Sequence, residues 1–411
     1  MSPEPDHPTP GEPSLRPHIF PLLVFVQFTV AAAGLVVEIL AGRMLAPYVG
    51  MSLYTWTAVI AVVLAGFSAG HWVGGYIAER PTHTALKQTA LAMALAALTT
   101  ALTLIILRAL AAGVISSFKS AEVSILILAS AIAFLPSFFA GIPSPVLARI
   151  AVALKVGREG AALGAIFAAS SLGAIAGTLA TGFVFIAWLG TQLTILIVVI
   201  TYVALAGLLL LRARSQRSGI LIALISAGAL LLSFSTLALA KSCTTESRYY
   251  CIRIIDFSAQ AGTEAKLMVL DHLGHGINVK DAPARLITPY VALMDTVLRR
   301  RLGGAPTSSF FIGGGAYTLP RAWKAADPSA RITVAEIDPE VTKLAQEEMW
   351  LSKQGIQVLH KDARAALEGL GRKFQVIVGD AFTDIAVPPH LVTREFFTLV
   401  QASLAPDGVY T

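Results

Sequence analysis

Seven long apolar runs fill the first 240 residues of this 411-residue chain. They cover roughly residues 18–41, 52–78, 86–112, 123–148, 160–187, 191–211 and 219–240. As a helix, each run is long enough to cross the ~30 Å hydrocarbon core of a bilayer. The sequence therefore predicts a membrane domain of about seven α-helical spans over residues 18–241, after a disordered tail over 1–17.

The fourth run contains three prolines, Pro136, Pro143 and Pro145, which predict a kink or a broken helix end. A re-entrant pair of half-helices is the alternative, and it would change the topology. Small residues are frequent in several runs, above all over 164–177, where they let membrane helices pack closely.

Two charged residues belong to the first run, Glu38 within it and Arg43 at its end. Charges in membrane spans are costly, and they are usually paired or functional. Three interpretations stay open: Glu38 pairs with Arg43, its side chain snorkels, or it serves transport. No other run has an acid near its middle, which argues against a proton-coupled carrier.

Positive charge is concentrated in the membrane part. Residues 1–241 contain 13 Lys and Arg against 7 Asp and Glu, whereas residues 242–411 contain 18 of each. Basic residues in such a domain usually anchor loops, so a nucleic-acid partner is not expected.

The distribution of Lys and Arg between the loops also predicts the orientation. With seven spans, nine of these residues fall on one side and four on the other. The first group is Arg16, Arg80, Lys87, Arg149, Lys155, Arg158, Arg212, Arg214 and Arg217, and the second is Arg43, Arg108, Lys119 and Lys241. The N-terminus is therefore expected in the cytoplasm, and everything after Lys241 outside it.

The chain has two cysteines, Cys243 and Cys251, which follow the last run and lie eight residues apart. A disulfide between them would suit an oxidising compartment, and two free thiols are the alternative. A disulfide would agree with the orientation that the basic residues predict.

After residue 241 the pattern changes from continuous apolar runs to alternating apolar and polar residues. Tyr249–Ser258 and Lys266–Leu273 are predicted strands of a small β-hairpin subdomain over 242–282. The sequence leaves open whether Gly276–Val279 forms a third strand.

Residues 283–411 begin with a predicted helix at Pro283–Arg301 and then alternate between strands and helices. Such alternation is typical of an α/β doubly wound domain with a parallel sheet. The predicted last strand starts at Gly408, close to the end of the chain. A domain truncated at its last strands is therefore expected.

Glycines and acids gather where the predicted parallel strands end. They are Gly313, Gly314, Gly315, Glu336, Asp338, Asp362 and Asp380. Open α/β sheets bind ligands at the carboxyl ends of their strands, and glycines let backbone N–H groups approach a ligand. These residues predict a nucleotide-type site, although Asp338 precedes Pro339 and has helix capping as an alternative role.

Several motifs together resemble the spermidine synthase, or aminopropyltransferase, branch of the class I S-adenosylmethionine-dependent fold. They are the glycine turn, Val334–Pro339, Lys361–Ala363, Val376–Asp380, Leu404–Tyr410 and the hairpin segment Leu267–Asp271. In the membrane part, Val37–Arg43 and Gly74–Arg80 are similar to multi-pass bacterial proteins that carry such a domain at the C-terminus. The combination of motifs carries the resemblance.

The resemblance implies that S-adenosylmethionine or its decarboxylated form is bound, without a metal. Glu336 would hold the ribose hydroxyls, with Asp338 beside it. Asp362, with Ala363, would bind the adenine amino group, and Gly313–Gly315 the amino-acid end. Each assignment is carried over to the matching position of this sequence.

On the substrate side, the resemblance implies that Asp380 is the catalytic base for the attacking amine. His275, Tyr290 and Asp384 would contact the substrate. His275 as a base, as a ligand or as a solvated turn residue stays open.

The sequence departs from the family pattern in the amine half of the site. Ala316 replaces the acid after the three glycines, Ala292 replaces an acid after Tyr290, and His275 replaces a glutamine. Asp384 is shifted by one position. Because a diamine needs carboxylates opposite its two ammonium groups, an acceptor other than putrescine is expected.

Three functions stay open: an aminopropyltransferase-like enzyme, an altered nucleoside- or polyamine-binding module on a transporter-like domain, and a methyltransferase with a membrane-proximal acceptor. The expected partners are the lipid bilayer and a small-molecule substrate, and a homodimer is left open. The expected location is the plasma membrane of a bacterium. Basic residues and cysteines favour an extracytoplasmic domain, whereas a cytoplasmic cofactor favours the cytoplasm.

Overall fold

The computed structural model describes residues 19–213, 217–238, 242–382 and 386–411. In these ranges, long helices form a bundle that is followed by an antiparallel sheet and then by a parallel sheet. The tail predicted over 1–17 lies outside the described residues.

The bundle, where it is described, contains eight α-helices. They are α1 (Phe20–Val49), α2 (Leu53–Ala78), α3 (Thr82–Ser117), α4 (Ala121–Gly141), α5 (Pro143–Leu154), α6 (Glu159–Ala180), α7 (Gly190–Ala213) and α8 (Arg217–Ala238). A π-helical segment, Thr181–Leu189, joins α6 to α7. Six helical stretches of the described chain are long and apolar enough to cross a membrane, with α4–α5 and α6–α7 each counted as one.

Helices α4 and α5 continue in one line along α2. A Cβ atom added to Gly66 would lie 2.8 Å from the Phe134 carbonyl oxygen, and one added to Gly74 would lie 2.4 Å from that of Ile142. Further along, Arg149 donates a hydrogen bond to the Arg80 carbonyl oxygen over 3.3 Å. The prolines of the fourth run thus break the helix at Ile142 without reversing the chain, and the re-entrant alternative is wrong.

The long stretch from α6 to α7 is interrupted at Gly190, which has a φ of +72°. Glycine adopts this left-handed backbone without a steric penalty. The Glu246 carboxylate accepts a hydrogen bond of 2.7 Å from the Thr191 backbone N–H, at the start of α7. Gln192 donates to the Thr236 carbonyl oxygen near the end of α8. The start of α7 therefore lies beside the end of α8.

The end of α1 contacts the segment that follows the bundle. Arg43 donates hydrogen bonds of 2.7 Å to the Ser247 carbonyl oxygen and 2.8 Å to that of Tyr249. The ion pair with Glu38, one of the three open interpretations, is not formed. The guanidinium instead donates to carbonyl oxygens of the C-terminal part.

The first sheet is antiparallel, in the order β1-β2-β3-β4. Its elements are β1 (Thr245–Glu246), β2 (Cys251–Asp256), α9 (Ser258–Ala261), β3 (Ala265–Leu270) and β4 (Leu273–Val279). The sequence predicted β2 and β3 and left β4 open, because the glycines at 274 and 276 weaken its strand signal. The two-residue strand β1 was not predicted. Cys243 and Cys251 form a disulfide with a Cα–Cα distance of 5.3 Å.

The second sheet is parallel, in the order β7-β6-β5-β8-β9. Its elements are α10 (Pro289–Leu302), β5 (Ser308–Ile312), α11 (Thr318–Ala326), β6 (Arg331–Ala335), α12 (Pro339–Glu348), β7 (Ile356–Leu359), α13 (Ala363–Leu370), β8 (Phe374–Gly379), α14 (Arg394–Ser403) and β9 (Leu404–Tyr410). The predicted α/β alternation with a parallel sheet is confirmed.

Successive strand residues point to opposite faces of this sheet, and each face is covered by helices. Phe311 packs with Trp323 of α11 on one face. Phe310 packs with Phe374 and Phe396 on the other. The core thus fixes the strands, and the loops at their carboxyl ends form the edge where ligands of such sheets bind.

Candidate functional site

The strand order of the parallel sheet reverses between β5 and β8. At such a switch point the loops after the two strands diverge and leave a crevice for a ligand. Gly313 follows β5 and Asp380 follows β8. Gly313 has a φ of +94°, and a Cβ atom there would lie 2.6 Å from the Asp380 carbonyl oxygen. Only glycine fits this position, because the loop after β8 passes directly beside it.

Glu336 follows β6 and reaches across to the glycine turn. Its Oε2 accepts hydrogen bonds from the backbone N–H groups of Gly314 (2.7 Å) and Gly315 (3.4 Å). Its Oε1 accepts one from the Asp338 backbone N–H (2.9 Å). Burial raises the pKa of Glu336, and these N–H donors oppose the rise. A carboxylate has about four lone-pair sites, and three of those of Glu336 are filled by these donors. One site remains for a ligand hydroxyl, and a second hydroxyl would have to replace the long 3.4 Å contact from Gly315.

Asp338 caps helix α12 instead of facing open solvent. Its Oδ1 accepts a hydrogen bond of 3.0 Å from the Glu340 backbone N–H, and its Oδ2 accepts one from the Ser247 hydroxyl. The side chain is buried, and this burial raises its pKa. The capping role that the sequence suggested is present, and a direct ligand contact by Asp338 stays a prediction.

Asp362 lies at the same edge, after β7, and also caps a helix. Its Oδ1 accepts the Ala365 backbone N–H over 3.1 Å, and its Oδ2 lies 2.6 Å from Nε2 of His390. Partial burial would raise the pKa of Asp362, but the hydrogen bonds from Ala365 and His390 outweigh it and leave the pKa low. Ala363 is the first residue of α13. An adenine amino group would have to displace His390 from Asp362.

Asp380, Tyr290 and His275 meet on the other side of the glycine turn. The Tyr290 hydroxyl lies 3.2 Å from Oδ2 of Asp380. Burial raises the pKa of Asp380, and the Tyr290 hydrogen bond opposes the rise. A carboxylate with a raised pKa in a crevice has the character of a general base.

His275 extends over the turn, with its Cβ 3.5 Å from the position of a Cβ on Gly315. Its Nδ1 lies 2.9 Å from the Leu273 carbonyl oxygen, so this nitrogen carries the proton and Nε2 keeps a lone pair. Burial lowers the pKa of His275, which favours the neutral ring. Asp384, the remaining predicted substrate contact, lies outside the described residues.

The sequence did not single out Asn278 and Ser247, which hold the site from the first sheet. The buried Asn278 amide donates to the carbonyl oxygens of Ala316 (2.8 Å) and Met349 (3.1 Å). The Asn278 carbonyl oxygen accepts the Thr318 hydroxyl. A lone Asn in a predicted strand gives no sign of such long-range contacts, so no pattern in the sequence indicates them.

The arrangement combines a buried carboxylate over a glycine turn with a second carboxylate at the switch point. Glu336 thus offers a hydrogen-bond acceptor at this edge of the sheet, and Asp380 offers a carboxylate that can take a proton. In the part of the chain that the structure covers, no three His, Cys, Asp or Glu side chains form a metal-binding group.

No family model matches this chain. A probable polyamine aminopropyl transferase of Bifidobacterium longum is 38% identical over 102 residues, which are 25% of this chain and 23% of that protein. A polyamine aminopropyltransferase of Vibrio vulnificus is 31% identical over 129 residues, which are 30% of this chain and 42% of that protein. The chain thus spans less than half the length of either relative.

Among solved structures, a probable spermidine synthase from Corynebacterium glutamicum is 25% identical, with a TM-score of 0.36. The match covers 39% of this chain and 60% of that one. The two named relatives confirm the likeness to polyamine aminopropyltransferases that the motifs indicated.

Proposed function

We propose that this chain, similar to polyamine aminopropyltransferases, is a membrane-anchored transferase. Its ligand would be S-adenosylmethionine or the decarboxylated form, and an aminopropyl or related group would pass to an amine-type nucleophile. The observation that carries the proposal is the Glu336 carboxylate lying over the Gly313–Gly315 turn at the switch point. The named relatives support the same reaction class.

In this proposal, different residues bind the ligand and accept the proton. Glu336 accepts hydrogen bonds from the ribose hydroxyls. Asp362 gives up its hydrogen bond with His390 and accepts one from the adenine amino group. A bound sulfonium supplies a good leaving group, because its charge is neutralised when the carbon–sulfur bond breaks. The attacking nitrogen forms its bond to that carbon, and Asp380 takes the proton that the nitrogen loses.

The acceptor is proposed to differ from the diamine putrescine. Ala316 is 1% exposed and its carbonyl oxygen is bound by Asn278, so this position offers no carboxylate to an ammonium group. The Tyr290 hydroxyl and the His275 ring, whose lowered pKa favours the neutral form, lie near Asp380 instead. Such a site suits an amine whose remaining part is uncharged.

The C-terminal part is proposed to lie outside the cytoplasm, after seven crossings of the bilayer. The reversal at Gly190, which brings the start of α7 beside the end of α8, supports two crossings within Glu159–Ala213. The bias of basic residues and the Cys243–Cys251 disulfide support the side. A donor made in the cytoplasm would then have to cross the membrane to reach the pocket.

Calorimetric titration of the full chain in detergent tests the proposed ligand. We expect binding of S-adenosylmethionine, its decarboxylated form or 5′-methylthioadenosine. Glu336→Gln should bind about 10- to 100-fold more weakly, because hydrogen bonds to a charged acceptor are lost. Glu340→Gln is the matched control, since Glu340 lies on the surface of α12 and pairs with Lys343. Absence of binding by all three compounds would overturn the proposal.

A further inference from the structure

Arg43, at the end of the first membrane helix, is buried and bound to the C-terminal part of the chain. Its side chain is 7% exposed, and its two terminal nitrogens donate to the Ser247 and Tyr249 carbonyl oxygens. A buried guanidinium requires such partners, because its desolvation is unfavourable without them. The two hydrogen bonds therefore fix the Ser247–Tyr250 turn against the bundle.

Ser247 continues the connection towards the ligand site. Its hydroxyl donates to Oδ2 of Asp338. Oγ of Ser247 in turn accepts hydrogen bonds from the backbone N–H groups of Tyr249 (3.0 Å) and Tyr250 (2.9 Å). The Asp338 backbone N–H then donates to Oε1 of Glu336 over 2.9 Å. Consecutive contacts thus lead from the membrane helix to the carboxylate over the glycine turn.

Arg43 also places a positive charge near the buried carboxylates on this path. Asp338 and Glu336 are 1% and 5% exposed, so two carboxylates are buried close together. Burial raises the pKa of Asp338, and the positive charge of Arg43 is one of the influences that lower it. Arg43 thus helps to keep Asp338 ionised and able to accept the Ser247 hydroxyl.

We propose that Arg43 is a positioning residue for Glu336. Arg43 holds Ser247, Ser247 holds Asp338, and Asp338 orients the Glu336 carboxylate that would bind the ribose. Ligand affinity then depends on the contact between the C-terminal part and the first membrane helix. This inference rests on the proposed function, because it assumes that Glu336 binds ribose hydroxyls. It adds a role for the membrane domain beyond anchoring.

The test compares adenosine with 2′,3′-dideoxyadenosine, which lacks both ribose hydroxyls, on the full chain in detergent. Wild type should prefer adenosine. Arg43→Gln should weaken the binding of adenosine about tenfold and leave the binding of the dideoxy compound nearly unchanged. The ratio of the two affinities should therefore fall. Ser247→Ala should have the same effect, and the double variant should be no weaker than either single one.

Arg108→Gln is the control, since Arg108 lies at the same end of the bundle but contacts Ser242. It should keep the wild-type preference. Equal weakening of both compounds, or none, in Arg43→Gln would overturn the inference. Wild type that binds S-adenosylmethionine or its relatives but does not prefer adenosine to the dideoxy compound would also overturn the inference. If wild type binds none of these compounds, the proposed function fails instead.

Discussion

At the scale of single residues, the hydrogen bond between Tyr290 and Asp380, 3.2 Å long, controls the proposed base. Burial raises the pKa of Asp380, and the Tyr290 hydroxyl opposes the rise because it stabilises the ionised form. Asp380 can take a proton only when ionised, so activity should fall as the pH drops through this raised pKa. Tyr290→Phe raises the pKa further, and we expect the acidic limb of kcat/KM to move to higher pH.

A pH profile of kcat/KM for wild type and variant checks this expectation. Tyr249→Phe is the control, because Tyr249 is a similarly exposed tyrosine whose contact with Arg43 is made by its backbone. Its acidic limb should coincide with that of wild type. A limb that stays in place in Tyr290→Phe, or moves to lower pH, would show that another group governs it.

At the scale of elements, glycines on α2 determine how closely α4 can approach. A Cβ atom on Gly70 would lie 2.1 Å from the Phe138 carbonyl oxygen, whereas one on Gly75 would meet no atom within 4 Å. Gly70→Ala should therefore lower the free energy of unfolding by about 1–3 kcal/mol through overpacking. Gly75→Ala, on the same helix, should leave it unchanged or slightly higher.

Unfolding of the full chain in mixed detergent micelles measures both effects. Separate transitions of the bundle and the sheet domain would assign the loss in Gly70→Ala to the bundle. Equal stability of the two variants would contradict the close packing of α2 on α4.

Apolar periodicity over long stretches of the sequence predicted most helices and strands. The errors lie at the ends of elements, where single residues stop or weaken a pattern. Helix α10 begins at Pro289 and not at Pro283, because Thr288 precedes a proline and adopts an extended conformation. Strand β9 begins at Leu404 and not at Gly408, since a proline and an aspartate within it weaken the strand signal. Boundaries of this kind depend on single residues.

The site was predicted less completely than the fold. Glu336 and Gly313–Gly315 follow from strand ends, which a linear pattern reveals. The contact of His390 with Asp362 and that of Asn278 with Ala316 join distant parts of the chain. Their contacts depend on tertiary packing, which periodicity does not encode.

At the scale of the whole molecule, the side of the membrane decides which ligands can reach the site. If residues after 241 lie outside the cytoplasm, alkaline phosphatase fused there should be active and green fluorescent protein should stay dark. The chain's two cysteines should resist a maleimide reagent after denaturation until a reductant is added, because they form a disulfide.

The thiol control is Cys243→Ser, in which Cys251 should react without any reductant. Fluorescence of the fusion, together with two reactive thiols in the wild-type chain, would place the domain in the cytoplasm. That outcome would leave the binding proposal intact and remove the need for a donor to cross the membrane.

The two hydrogen bonds of Arg43 can form only late in the synthesis of the chain. Their acceptors lie 204 and 206 residues further along the chain. At roughly 5–20 residues per second, the ribosome needs on the order of ten seconds or more to reach them. Helices α2 to α8 are completed in that interval, so this contact can form only after the bundle has been synthesised. A chain that stops earlier carries an unmatched guanidinium at the bundle end, which distinguishes it from a finished molecule.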